Sequence, residues 1–193
     1  MKFRMTLAAL AMFPAGGAFA QDECTAYSAE DPYDLTEDQL AGFYDCLSDK
    51  MAEGYAAEGD EIGSVYREWT SAQTRLGIAP THGNRAVRTY ANDIAAEQYL
   101  QFAEDIEMPA GSILAKESIS FSSKRAAARP GPLFLMTKLE EGGAPETNDW
   151  LYAGVQPNGK VMRVSQSFCH DCHIGFDYQD SLGYPVEETR VSQ

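Results

Sequence analysis

Two hydrophobic periods run along this chain, and they divide it. Leu40, Phe43, Leu47 and Met51 recur at helical spacing, which sets one stripe of a helix into a core. Just ahead, Thr36-Glu37-Asp38-Gln39 has the form of a capping box, with acids at the positive end of the helix dipole. A helix is therefore predicted from Thr36 onward. Gly54, Gly59 and Gly63 then loosen the pattern, and Pro80 to Asn84 reads as a loop. Ala86 to Ala91 looks extended. Asn92 can cap a second helix whose buried side carries Tyr99, Phe102 and Ile106, ended by Pro109-Ala110-Gly111.

From Ile113 the period changes to two. Ile113, Ala115, Glu117, Ile119 and Phe121 share one face of a predicted strand, and Leu114, Lys116, Ser118 and Ser120 the other. Leu133 to Leu139 is a second strand candidate. Trp150 to Val155 and Val161 to Val164 flank Gln156-Pro157-Asn158-Gly159-Lys160, where Asn-Gly supplies the positive dihedrals of a tight hairpin. The pattern predicts an α+β fold, mainly an antiparallel β-sheet with flanking helices at both chain ends. Neither repeats nor low-complexity tracts interrupt it.

The length, 193 residues, suits one ordinary domain with its own core. Lys2 and Arg4 precede an apolar run, Met5 to Phe13, which ends at Ala18-Phe19-Ala20, a small-residue pattern open to a signal peptidase. Residues 1–20 are read as a signal peptide cleaved after Ala20, 21–60 as a helical extension, and 61–193 as the main domain. The run is too short for a permanent membrane span, so a periplasmic or secreted protein is expected. Losing Lys2 and Arg4 takes the formal net charge from -14 to -16. Such a surface repels nucleic acid and anionic membranes and favours cationic partners.

The four cysteines form two unlike pairs. Cys24 and Cys46 lie far apart in an exported chain, so a structural disulfide is expected, stabilising the fold by roughly 3 kcal/mol. Cys169-His170-Asp171-Cys172-His173 is different chemistry. Two thiols spaced to reach both vinyl groups of one porphyrin, followed by an imidazole, are the requirements for one covalent haem c. Cys169 and Cys172 are the expected thioether residues and His173 the axial iron ligand. Zinc would need two further Cys or His ligands, and only His82 and His170 remain if the other cysteines pair. A thioredoxin-like redox pair would want a βαβ context, against which the hairpin argues. His170 reads as a solvent-facing helix residue and His82 as a structural or exposed loop residue. Met108, Met136 and Met162 are candidate sixth ligands for an electron carrier, though Met136 and Met162 sit in strand patterns that suit a core. An open sixth position would instead admit small molecules.

Tyr66-Arg67-Glu68-Trp69, His82-Gly83, Tyr90-Ala91-Asn92, Pro109-Ala110-Gly111-Ser112, Lys116-Glu117, Asp149-Trp150 and the Cys169 to His173 motif occur in an order that resembles the cytochrome P-460 family, which includes the cytochromes c′-beta. The resemblance spans about residues 60 to 180. It implies a mainly antiparallel β fold, usually a homodimer, holding a five-coordinate c-type haem. Hydroxylamine-oxidising members carry a lysine bonded to the porphyrin edge, and the matching residue is Lys116. The c′-beta members lack that bond and bind nitric oxide or carbon monoxide. The resemblance thus implies a small nitrogenous ligand or substrate and a periplasmic electron-transfer partner. From alternation alone, Lys116 is either solvent-facing or covered by the cofactor. Glu117, on the apolar face, needs a partner or a raised pKa and is a second candidate. The oxidising members supply a carboxylate just upstream of the haem motif. Arg163 to Phe168 contains none.

Overall fold

The structure, a computed structural model, describes residues 23–192, so the predicted leader and its cleavage point lie outside the described residues. Four α-helices, α1 (Glu37–Ala56), α2 (Glu61–Val65), α3 (Asp93–Tyr99) and α4 (Gln166–His173), surround one sheet. Its strands are β1 (Thr70–Ser71), β2 (Gly77–Ala79), β3 (Arg85–Ala91), β4 (Ile113–Ser122), β5 (Ala127–Pro130), β6 (Leu133–Lys138) and β7 (Trp150–Val155). The spatial order is β1-β3-β4-β6-β7, with β2 paired to β3 and β5 to β4, and every pairing is antiparallel. The α+β architecture expected from the two periods is the one observed. No described helix is long and apolar enough to cross a membrane.

Helix α1 begins as its cap predicts. Thr36 accepts from the Gln39 amide and the Gln39 side chain accepts from the Thr36 amide. Its stripe of Leu40, Phe43, Leu47, Met51 and Tyr55 is buried. That stripe packs on the sheet face bearing Ala86, Ala115, Ile119, Leu133 and Val155. The Cys24–Cys46 disulfide ties the leading segment to α1, with a Cα–Cα distance of 6.1 Å.

Residues paired across antiparallel strands point to the same side. The register Lys116↔Thr89 and Lys116↔Phe134, with Leu114↔Met136 and Met136↔Tyr152, therefore builds the second face. Here Leu114, Trp150 and Tyr152 meet Tyr99 of α3, Leu182 and the half-buried Cys169 of α4. Both faces of β4 are covered.

Three expectations need correction. Helix α3 ends at Tyr99, because Phe102 turns the chain with φ of 49°. Phe102 and Ile106 thus lie beyond the helix, and Phe102 instead stacks edge-on against Tyr184 at 5.6 Å. The predicted return strand at Val161 to Val164 is a single bridge, Val155↔Val161, after which the chain departs toward α4. In the turn only Gly159 has positive φ, at 80°. A Cβ there would lie 2.6 Å from the Glu58 amide nitrogen, so the close approach of the α1–α2 connection demands glycine as well. Strands β1, β2 and β5 were not predicted, being too short to show a period.

Candidate functional site

Helix α4 is fastened at its start. Ser165 accepts from the Phe168 amide, and the Gln166 side chain accepts from the Tyr152 amide and donates to the Tyr152 carbonyl, each at 2.7 Å. The helix thereby lies along β7, and one turn brings Cys169, Cys172 and His173 together. Both cysteines are free thiols, Cys169 half-buried and Cys172 exposed. Burial, and then Cys172, push the Cys169 thiol pKa up.

Beyond α4 a 3-10 segment, Ile174–Gln179, leads into Asp180 and Ser181, which are left-handed with φ of 54° and 62°. This reversal sets the Ser181 carbonyl 2.8 Å from His173 Nδ1. A carbonyl can only accept, so Nδ1 carries the proton and Nε2 is left as the lone-pair nitrogen, the tautomer a metal ligand needs. The reversal is itself anchored. Asp180 pairs with Lys138 at 2.7 Å and accepts from the Met108 amide at 2.8 Å, and Trp150 Nε1 donates to the Asp180 carbonyl at 2.8 Å.

Facing this helix is the second face of the sheet. Lys116 is half-buried there beside Phe134, not solvent-facing. His82 closes a 3-10 turn, Pro80–His82, and its ring lies 4.7 Å from Phe134 and 6.4 Å from the His173 ring, nearly perpendicular to it at 83°. The Arg85 guanidinium fixes that turn by donating to the His82 carbonyl. Tyr152 packs 5.1 Å from His173, and its hydroxyl meets His170 Nδ1 at 3.2 Å. His170 is therefore buried, correcting the expectation of a solvent-facing residue, because β7 passes under that side of α4.

Burial and neighbouring cations perturb the site's titratable groups. Burial, followed by Lys116, His173 and Arg85, lowers the His82 pKa to about 2. Burial, followed by Lys116, takes His173 down to about 4 despite its Ser181 bond, and burial alone takes Lys116 to about 8. Both imidazoles are neutral at pH 7, as ligands must be.

Glu117 lies on the opposite face from Lys116. It is fully buried, accepting from Tyr66 at 2.7 Å, Tyr90 at 3.2 Å and Arg67 at 2.7 Å. Among the methionines, Met108 is buried near Asp180, Met136 is half-buried on the Lys116 face, and Met162 is half-buried beside Gly154. Two clefts, about 640 Å³ at Glu58 to Ile62 and about 470 Å³ at Gln98 and Lys138, include none of Lys116, Cys169, Cys172 or His173. Among the described residues no three His, Cys, Asp or Glu side chains are grouped to hold a metal, which leaves the zinc alternative without a ligand cluster.

A single imidazole with one nitrogen engaged and one free, two free thiols on the same helical turn, and a sheet face lined by aromatic side chains form the donor set of a haem pocket. The residues present fit that group. The chain belongs to the cytochrome P460 family: the family model described as Cytochrome P460 matches residues 64–182, more than half its length. This membership implies a haem-binding cytochrome. No curated protein matches the chain. Sequence reasoning located the motif but not Tyr152, Ser181 or the approach of His82, since contacts across the fold leave no local signal.

Proposed function

We propose that the chain is an exported mono-haem c-type cytochrome whose distal position admits a small nitrogenous ligand, oxidising hydroxylamine or processing nitrogen oxides and passing electrons to a periplasmic carrier. The observation that carries this reading is the His173 bond to Ser181, which leaves Nε2 free beside two free thiols. In this reading Cys169 and Cys172 form the two thioethers and His173 is the axial ligand. When bound, the haem iron supplies a redox-active, ligand-binding centre. Lys116 is the candidate for a bond to the porphyrin edge. Burial lowers its pKa to about 8, which raises the share of neutral amine on that face. The acidic surface suits a cationic electron-transfer partner.

A second reading, a non-enzymatic binder of nitric oxide or carbon monoxide, is favoured by one observation. Among the described residues, the side chains whose charge bears on His82 and His173 are Lys116, Arg85 and other imidazoles, a setting without a carboxylate to take a proton from a bound substrate. The test is a haem–peptide mass on the Cys169–Cys172 segment, followed by ferrous spectra with nitric oxide and an assay of hydroxylamine-dependent acceptor reduction. Turnover together with a Lys116 adduct, lost in Lys116→Arg, supports the enzyme. Ligand binding without turnover supports the second reading, and a chain isolated without haem overturns both.

A further inference from the structure

We infer that His82 is a displaceable second axial ligand, capping the iron on the side opposite His173. This rests on the haem reading above. The spacing is the first argument. A metal–imidazole nitrogen bond is about 2 Å, and the ring centre lies roughly 1.2 Å behind the nitrogen, so two imidazoles sharing one ion have centres about 6.4 Å apart. The two rings are 6.4 Å apart. A histidine that only hydrogen-bonded an iron-bound ligand would stand roughly 2–3 Å further away.

The second argument is what each nitrogen does. His173 Nδ1 is engaged by Ser181, leaving Nε2 free. Among the described residues the His82 ring makes no hydrogen bond, although its carbonyl is held by Arg85. The ring nitrogens of His82 are thus uncommitted, and two free imidazole nitrogens at this separation can be satisfied together by one cation between them.

The third argument concerns release. His82 sits on a single 3-10 turn, followed at once by left-handed Gly83 and Asn84, and not within a strand of the sheet. Thr81, Gly83 and Asn84 are exposed, so withdrawing the ring disturbs that turn and leaves β3 and β4 paired. A small ligand competes with His82 for the iron and opens the site by replacing it.

The test compares the holoprotein with His82→Ala by absorption, electron paramagnetic resonance and carbon monoxide binding, with haem attachment checked by mass. The expected wild type is low-spin and six-coordinate, with the strongly anisotropic ferric signal of perpendicular imidazoles. Its carbon monoxide association should saturate with concentration, because His82 must leave first. His82→Ala should be high-spin, return to low-spin on adding imidazole, and bind carbon monoxide about tenfold more tightly if the uncapped form is about a tenth of the wild-type population. A haem-loaded wild type that is high-spin, or a haem-loaded His82→Ala that stays low-spin, overturns this inference alone. If His82→Ala fails to load haem, the wild-type kinetics decide, and association linear in carbon monoxide overturns the assignment. Absence of haem on Cys169 and Cys172 in the wild type overturns it together with the haem reading.

Discussion

His173 donates its Nδ1 proton to the main-chain carbonyl of Ser181, so the orientation of the site's imidazole is set by backbone conformation and not by a partner side chain. Ser181 has φ of 62°. A β-branched residue there is strained by about 1–2 kcal/mol, whereas glycine is not. Ser181→Val should lower the melting temperature and, in the His82→Ala background where the ferrous iron is five-coordinate, shift the iron–histidine stretch in resonance Raman spectra. Ser181→Gly should leave that frequency in place.

Lys138 and Asp180 hold the same reversal from below. Both side chains are 9% exposed and 2.7 Å apart. Removing one partner strands a buried charge, so Lys138→Met should destabilise the protein by about 3 kcal/mol or more in urea unfolding. The double change Lys138→Met with Asp180→Asn should recover part of that loss, since no unpaired charge remains. Equal losses in the single and double variants would sink the argument.

Glu117 joins Tyr66, Tyr90 and Arg67 on the far side of the sheet, and the Arg67 side chain is 25% exposed. That partial exposure lets water screen Arg67, so Glu117→Gln should cost about 1–3 kcal/mol and not the full penalty of a buried pair. The spectrum of the bound cofactor should be unchanged. A shifted spectrum would mean that the two faces are coupled.

Asp149 accepts from the Ala144 and Gly142 amides, and these bonds hold its carboxyl below the usual range. A depressed folded-state pKa adds stability above the unfolded value, about 3.9, and that stability is lost as pH falls through the folded value. The melting difference between wild type and Asp149→Asn should therefore be level at neutral pH and shrink below about pH 4.

Replacing Cys24 and Cys46 together by serine opens a loop with a sequence separation of 22 residues. Roughly 3 kcal/mol of stability should disappear in denaturant titrations. Haem content should hold.

Where a property was local, the sequence carried it. The capping box at Thr36, the strand β4 and the helical turn that carries the five-residue motif all depend on near neighbours, and each is present in the structure. The α3 boundary departed from the expected one, because the left-handed Phe102 packs against Tyr184, a contact distant in sequence. The same holds within the site. Lys116 was ambiguous because alternation gives direction but not what lies opposite, and the imidazoles of His82 and His173, whose pKa values it lowers, come from elements distant in sequence. His82 was unassignable for the same reason: its neighbours Phe134 and His173 belong to later elements.

Lys116 and Glu117 are consecutive on β4, one turned to the imidazoles and the other to the Tyr66–Arg67 network. A strand has no intermediate facing, so slipping its pairing by a single residue would exchange the two. The ammonium would then enter an apolar core beside a guanidinium, and a carboxylate would meet two neutral imidazoles. The pairing of β4 with β3 and β6 thus acts as a selector for the polarity of the pocket. A change of register in β4, and not only a substitution, would therefore invert the chemistry of the site.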